Sequence, residues 1–238
     1  IAATASAWLF PAATLAQGVA AASPWSSQKY GPMRLIAGTA TPPGAASPKL
    51  YAGVQIKLDP GWKTYWRQPG DSGVPPNLDW AGSTNLASAR VLFPAPIRLQ
   101  DGGLTMLGYK GEVVLPVEVR PTDPSKPVEL QLAAEYGVCK DICIPAEAKL
   151  SLILPPQAGA GEGALIGAAL QHVPQPAGAG LPVIRTLKHE MSGLAPRLVL
   201  DATFPKGSDG ADAFIEIEGG ELAPLPTVTD HKGNDVRF

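Results

Sequence analysis

Short segments in which apolar and polar residues alternate, each ended by glycine or proline, run from residue 33 to residue 154. The clearest is LYAGVQIKLD, in which one side is formed by Ala52, Val54, Ile56 and Leu58. Alternate side chains of a strand point to opposite faces, so these four residues predict a buried face. The 238 residues include 26 glycines and 26 prolines, which is typical of short strands joined by many turns. The chain is therefore predicted to be all-β.

The number of strands favours a particular β architecture. About seven to nine short strands in residues 29–154 predict an immunoglobulin-like β-sandwich, although a barrel would give a similar pattern. Residues 155–180 are predicted to be a linker with one short helix, whose apolar face contains Leu165, Ile166, Ala169, Leu170 and Val173. Strand patterns resume in PVIRTLKHE, RLVLDATF and DAFIEIEG. Three or four strands cannot close a sandwich, so residues 181–238 are predicted to be a second, partial immunoglobulin-like β domain, cut short at Phe238.

The first 28 residues are apolar and rich in alanine. IAATASAWLFPAATLAQGVAAASPW resembles the hydrophobic and cleavage regions of a secretory signal, and no charge precedes Lys29. We therefore expect residues 1–28 to be the remnant of a signal peptide, or else a disordered tail. Pro11, Gln17 and Gly18 interrupt the apolar run, which argues against a membrane span. Export would place the chain in an oxidising compartment, where a disulfide persists.

Charge and histidine content exclude several classes of function. The formal net charge is −2, which gives no electrostatic basis for binding nucleic acid. His172, His189 and His231 are scattered and do not combine with Cys, Asp or Glu at the spacing of metal ligands. We therefore expect neither a zinc site nor a bound cofactor.

The two cysteines of the chain, Cys139 and Cys143, lie in AAEYGVCKDICIPAEAKL. The flanking segments predict the two arms of one β-hairpin, which would bring the cysteines within reach of a disulfide. A loop of about five residues would restrict the unfolded chain little, and the expected stabilisation is only about 2 kcal/mol. A disulfide placed for stability is expected to close a longer loop.

Three interpretations of the cysteine pair remain open. The pair could be a structural disulfide, a Cu(I) site completed by Met33, Met106 or Met191, or a pair for thiol-disulfide exchange. Proximity at a hairpin tip with neighbouring charges favours exchange. Lys140 would stabilise a thiolate and Asp141 would oppose it, so the sequence does not give the sign of the net effect.

Three segments resemble one known family: GWKTYWRQPGDSGVPPNLDW, GYKGEVVLPVEV and YGVCKDICIPAEAKL. They are similar to the N-terminal periplasmic domain of the DsbD-type thiol:disulfide interchange proteins. Within that family they look most like the ScsB branch, the copper-sensitivity-suppressor membrane proteins. The resemblance extends over about residues 30 to 155, and its most specific part is the cysteine hairpin.

The resemblance implies an enzyme, namely a thiol-disulfide oxidoreductase that relays electrons. A thioredoxin-like domain of the same membrane protein would donate electrons to the cysteine pair. The pair would then reduce a soluble periplasmic thioredoxin-fold protein of the disulfide isomerase type. The implied location is the periplasm, as the exported N-terminal part of an inner-membrane protein.

The resemblance also implies roles for individual residues. Cys143 would attack the partner's disulfide and Cys139 would resolve the mixed disulfide. Tyr65 would place its hydroxyl near the pair. A cap loop covers the cysteines in this family, and QDGGLTMLGYKGE corresponds to it, with Leu107 and Tyr109 as first candidates for the covering residue and Met106 as third. The cysteines are closer together than in DsbD itself, but their spacing fits the ScsB branch.

Two other functions compete with the relay. One is a non-catalytic immunoglobulin-like interaction module with a structural disulfide. The other is a Cu(I)-binding protein of copper tolerance, suggested by the ScsB branch.

Overall fold

The computed structural model describes residues 20–156, 159, 161–192, 195–217 and 224–238. Most of the region predicted as a signal peptide, residues 1–19, therefore lies outside the described residues. The described part is mostly β-structure in three antiparallel sheets, with one short helix. Among the described residues there is no helix whose length and apolar character would let it cross a membrane.

In the part of the chain that the structure describes, ten strands precede the helix and four follow it. The first ten are β1 (Met33–Ala40), β2 (Lys49–Lys57), β3 (Lys63–Gly70), β4 (Asn77–Asp79), β5 (Leu86–Val91), β6 (Ile97–Asp101), β7 (Leu104–Lys110), β8 (Glu112–Pro121), β9 (Val128–Cys139) and β10 (Cys143–Leu154). The helix is α1 (Gly163–Leu170), and the last four strands are β11 (Val183–Ser192), β12 (Ala195–Thr203), β13 (Asp230–Lys232) and β14 (Asp235–Arg237).

The first two sheets share one hydrophobic core. The first has the strand order β1-β2-β8-β5, and the second has the order β10-β9-β3-β7-β6 with β4 beside β9. The alternation predicted for β2 is confirmed, because Ala52, Val54, Ile56 and Leu58 all lie in this core. They pack with residues of the second sheet such as Leu130 and Leu132. Full burial of each large apolar side chain stabilises the fold by about 1.5–3 kcal/mol.

Helix α1 packs on the outer face of the first sheet. Its residues Ile166 and Leu170 are buried against Ile36, Tyr51 and Val114. The predicted helix is confirmed, and it packs against the sheet. Because it covers the face of β2 that the alternation leaves outside, Tyr51 is only 2% exposed.

The segment DAFIEIEG, residues 212–219, was predicted as a strand, but residues 212–217 have no strand structure, so that prediction is wrong there, and residues 218–219 lie outside the described residues. This segment is held by side chains of the second sheet and not by a neighbouring strand. With its amide oriented to satisfy both ends, Gln68 donates to the Ile215 carbonyl at 3.1 Å and accepts from the Ile217 N–H at 3.2 Å. The segment therefore lies against the second sheet without forming a strand of it.

The third sheet has the order β11-β12-β14-β13 and its own small core. Ala202, Val236 and Phe238 are buried there, with Phe204 packed beside them. The rings of Phe204 and Phe238 are tilted, with centroids 6.5 Å apart. The strands predicted in PVIRTLKHE and RLVLDATF are confirmed as β11 and β12.

Candidate functional site

The two cysteines close the tip of the β9–β10 hairpin. Cys139 is the last residue of β9 and pairs directly with Cys143, the first residue of β10. Their sulfurs form a disulfide, with the Cα atoms 4.1 Å apart. Residues 140–142 form the turn, in which the Lys140 N–H donates to the Ile142 carbonyl at 3.0 Å. The long run of paired residues behind the tip holds the disulfide in one place.

The two cysteines differ in exposure. Cys139 is 0% exposed, because the strand directs Val138 into the main core and turns Cys139 toward the opposite face. There it is buried in a small cluster with Tyr65, Leu99 and Met106. Cys143, across the hairpin, is exposed. A reactant arriving from solvent therefore meets Cys143.

Tyr65 places its hydroxyl against both sulfurs. The hydroxyl donates to Cys139 Sγ at 3.0 Å and lies 3.2 Å from Cys143 Sγ. The pairing of Lys63 with Cys139 brings β3 alongside the end of β9 and so positions Tyr65. Tyr65 therefore lies beside the cysteine pair, where the resemblance implied it would be. A hydroxyl at this distance can stabilise a thiolate on either sulfur.

Two glycines make the space for the Tyr65 ring. A Cβ on Gly73 would lie 2.4 Å from Cδ1 and Cε1 of the ring, and a Cβ on Gly137 would lie 3.1 Å from Cδ2 and Cε2. Gly73 belongs to the loop between β3 and β4, which Asp71 fixes by accepting from the Thr105 N–H at 2.8 Å. The glycines and prolines of QPGDSGVPP predict a turn here, but they do not indicate that the turn lies against the Tyr65 ring.

The candidates for a covering residue separate into two groups. Met106 lies in the cluster with Cys139, beside Leu99, its partner across the β6–β7 hairpin. Leu107 and Tyr109 lie in the main core on the other face. This placement argues against a covering role for these two residues, because neighbouring positions of β7 point in opposite directions. Leu99 was missed, since it precedes the segment that the resemblance pointed to.

Tyr109 has a structural role in the core. Its hydroxyl donates to the Pro94 carbonyl at 2.8 Å. Burial raises the pKa of Tyr109 far above its usual range, and the nearby Arg67 counteracts only part of that rise. Tyr109 therefore stays neutral in the folded protein.

The turn residues between the cysteines face solvent. Lys140 and Asp141 are both exposed, so water and salt screen their charges. The Lys140 side chain lies along Gly61, where a Cβ would be 3.2 Å from Lys140 Cε. Ile142 is 68% exposed, which adds an apolar side chain to the charged tip of the hairpin.

Of the three methionines considered as copper ligands, only Met106 lies in the cluster with Cys139. Met33 is buried in the main core, and Met191 is 63% exposed on β11. Within the described residues, no group of three or more His, Cys, Asp or Glu side chains is arranged to hold a metal ion. Any copper site at the cysteines would therefore depend on the two sulfurs and Met106.

Comparisons with known proteins agree with this geometry. The chain matches the crystal structure of the N-terminal periplasmic domain of ScsB from Proteus mirabilis with a TM-score of 0.66, over 92% of this chain and 83% of that chain. The two sequences are 23% identical, so the likeness concerns the fold. No curated protein matches the chain significantly. A family model described as "Thiol:disulfide interchange protein DsbD, N-terminal" matches residues 36–155, which include both cysteines. Since that match covers half of the 238 residues, the chain belongs to the family of DsbD N-terminal domains.

Proposed function

We propose that the Cys139–Cys143 pair is a relay for thiol-disulfide exchange with other proteins. The observation that carries the proposal is the unequal exposure of a bonded pair, with Cys143 open to solvent and Cys139 fully buried. Tyr65 supports it, because its hydroxyl reaches both sulfurs. Exchange needs one accessible sulfur for attack and a second thiol held close by to release the product.

The chemistry follows from this arrangement. In the reduced domain, the Cys143 thiolate attacks one sulfur of a partner's disulfide, and the partner's other sulfur leaves as a thiolate that takes a proton. The Cys139 thiolate then attacks Cys143 Sγ, which restores the disulfide of the domain and releases the partner's second thiol. Two electrons and two protons pass to the partner, so its disulfide becomes a dithiol.

Family membership supports the wider setting. We propose an immunoglobulin-like sandwich for residues 29–154 and a partial second domain of the same kind for residues 181–238, joined by residues 155–180. We further propose that the domain works in the periplasm as part of an inner-membrane protein. Its donor would be a thioredoxin-like domain of that protein, and its acceptor a soluble thioredoxin-fold protein.

Trapping tests the proposal. A Cys139→Ser variant with reduced Cys143 should form a stable mixed disulfide with an oxidised thioredoxin-fold disulfide isomerase, visible as a covalent adduct on a non-reducing gel. The matched Cys143→Ser variant keeps only the buried thiol and should give little adduct. If both variants give equal adduct, or neither gives any, the assignment of the attacking thiol is wrong.

A structural disulfide is the competing interpretation, and reduction separates it from the relay. A relay disulfide should equilibrate with glutathione buffers, whereas a structural one should stay oxidised in them and become reduced only at potentials below about −300 mV. In that case, replacing both cysteines by serine would leave partner reduction unchanged in the full protein.

Copper binding is a second candidate because Met106 lies in the cluster with Cys139. Two thiolates and a thioether are ligands that suit Cu(I). Titration of the reduced protein with Cu(I) should then show one site that weakens in a Met106→Leu variant and disappears without either cysteine. Met33→Leu is the matched control, since Met33 lies in the main core.

A further inference from the structure

Residues 212–217, here called the clamp segment, lie against the second sheet. Arg98 on β6 donates from Nε to Asp212 Oδ2 and from Nη2 to Asp212 Oδ1, both at 2.8 Å. Nη2 also donates to the Pro226 carbonyl at 2.7 Å. The Arg98 guanidinium lies 5.6 Å from the centre of the Phe214 ring. One side chain of β6 thus binds the clamp segment through charge and ring contacts, and it also binds the backbone at Pro226.

A second arginine holds the other end of the clamp segment. Arg67 on β3 donates from Nε to Glu216 Oε1 and from Nη2 to Glu216 Oε2, the latter at 2.7 Å. Between the two ion pairs, the ring of Phe214 packs on Trp66 with centroids 5.9 Å apart. The segment is therefore fixed at both ends and packed in the middle.

Both anchoring arginines sit close in sequence to residues of the disulfide cluster. Arg98 is adjacent to Leu99, which packs with Cys139, and Arg67 is two residues from Tyr65. Arg98 pairs across the hairpin with Leu107, and Leu99 pairs with Met106. Arg98 and Leu99 therefore point to opposite faces of the same strand. A contact that anchors Arg98 therefore also fixes the position of Leu99.

Strand β6 needs such an anchor. It is the edge strand of the second sheet and pairs with β7, and the β6–β7 turn at Gly102 and Gly103 has positive φ at both residues. Edge strands with exposed backbone are among the first parts of a fold to open. The Leu99 side chain can thus leave Cys139 unless something outside the sheet restrains β6.

We propose that Arg98 is a positioning residue whose pair with Asp212 holds Leu99 over Cys139 and so directs incoming thiols to Cys143. The inference deepens the proposed function, since it concerns the same disulfide. It assigns to residues outside the family match, 36–155, a part in deciding which sulfur reacts. The bidentate pair is partly buried, with side-chain exposures of 25% and 34%, so it is screened less than a surface pair.

The two arginines of the clamp stay charged into strongly alkaline pH. The hydrogen bond to Asp212 raises the pKa of Arg98 above its usual value, and burial lowers it by less. The hydrogen bond to Glu216 raises the pKa of Arg67 in the same way. Salt is therefore a better probe of the clamp than a rise in pH.

Alkylation of Cys139 tests the inference directly. In a Cys143→Ser background the remaining thiol is Cys139, and its rate of reaction with iodoacetamide reports how often the cover opens. Asp212→Asn and Arg98→Met should each raise that rate about three- to tenfold, the range expected for loss of one partly buried ion pair. Arg98→Lys keeps the charge but cannot form the bidentate pair, so its alkylation rate should lie between those of the unchanged protein and Arg98→Met. Leu99→Ala is the positive reference.

The matched control is the pair Arg90–Glu118, which joins β5 to β8 in the first sheet at 2.6 Å. Glu118→Gln should leave Cys139 alkylation unchanged. To exclude global unfolding, the rates should be measured in low concentrations of urea, because local opening is nearly independent of urea. Without any substitution in the clamp, raising salt to about 1 M should also speed alkylation, and this dependence should be absent in Asp212→Asn.

The results separate the clamp from the relay, because alkylation needs no partner protein. If neither Asp212→Asn nor Arg98→Met changes the rate by more than Glu118→Gln does, the clamp has no effect on Cys139 and the inference is overturned. The trapping experiment on Cys139→Ser would be unaffected by that outcome. Conversely, a failure to trap any partner would leave the effect on alkylation measurable.

Discussion

At the scale of single residues, the chemistry depends on which way two neighbouring side chains point. Cys139 turns away from the core because Val138 turns into it, and this brings Cys139 under Leu99 and Met106. The Tyr65 hydroxyl then spans the sulfurs from the same side. The buried sulfur is held in a fixed environment, while the exposed Cys143 remains free to react.

Tyr65→Phe tests the contribution of the hydroxyl. A hydrogen bond to a thiolate is stronger than one to the sulfur of a disulfide, so its loss should destabilise the reduced form. We expect the equilibrium with glutathione to shift toward the disulfide by about tenfold. Gel-shift analysis in glutathione buffers measures this. An unchanged midpoint would mean that the hydroxyl does not distinguish the two redox states.

The space that Gly73 leaves for the Tyr65 ring gives a second prediction at this scale. Gly73 has φ 136° and a Cβ there would meet the Tyr65 ring at 2.4 Å, whereas Gly111 has φ 69° with open space around it. Both alanine substitutions strain the backbone, but only Gly73→Ala also displaces Tyr65. We expect Gly73→Ala to cost about 1–3 kcal/mol more than Gly111→Ala in urea unfolding. Equal costs would show that the loop yields without moving the ring.

At the scale of elements, local patterns determine much of what forms. The alternation in β2 and the apolar face of α1 were sufficient to predict the strand and the helix, because both patterns arise from neighbours in sequence. The strand predicted from DAFIEIEG failed over residues 212–217 because these residues are bound by the side chains of Arg67, Gln68 and Arg98 and not by a neighbouring strand. These residues are more than a hundred positions away.

The candidate site was likewise predicted only in part. Cys139, Cys143 and Tyr65 came from a motif and a resemblance that span short stretches of sequence. The identity of the covering residues could not be predicted from such stretches, because it depends on the register of β6 against β7. Leu99 opposite Met106 is a pairing that only the folded hairpin sets.

Helix α1 gives the prediction at the scale of elements. Ile166 is 0% exposed between the helix and the first sheet, while Leu165 on the same turn is partly exposed. Ile166→Ala should destabilise the protein by about 2–4 kcal/mol, and Leu165→Ala by clearly less. Urea unfolding followed by tryptophan fluorescence measures both. Equal and small effects would mean that packing of the helix on the first sheet contributes little to the stability of the protein.

At the scale of the whole molecule, the main core is covered on several sides by parts that lie outside the family match. The helix covers the first sheet, and Phe214 and Leu225 pack against the core that both sheets share. Buried tyrosines tie this core to surrounding backbone, as in the hydrogen bond from Tyr136 to the Gly31 carbonyl at 2.7 Å. The stability of the whole should therefore respond to the ionisation of these phenols.

Alkaline pH gives the prediction at this scale. Burial raises the pKa of Tyr136 to about 12 and raises that of Tyr109 as well. In the unfolded chain a tyrosine ionises near pH 10, so above about pH 10 the folded state holds more protons than the unfolded state. The contribution of these tyrosines to the free energy of unfolding should be constant below about pH 10 and fall as pH rises toward 12. Urea midpoints measured across this range should fall less steeply in Tyr136→Phe, and an identical slope would contradict the assignment.

The contacts of Phe214 and Arg98 bear on how this protein should be shortened for study. A fragment trimmed at residue 155 would retain the full family match and both sulfurs, yet it would lack the residues that cover Trp66 and restrain β6. Such a fragment would expose an apolar surface at Trp66, and its β6–β7 hairpin would be less restrained. Cysteine reactivity measured on the fragment would therefore differ from that of the longer chain. Chemistry attributed to the native domain should be measured on the longer chain.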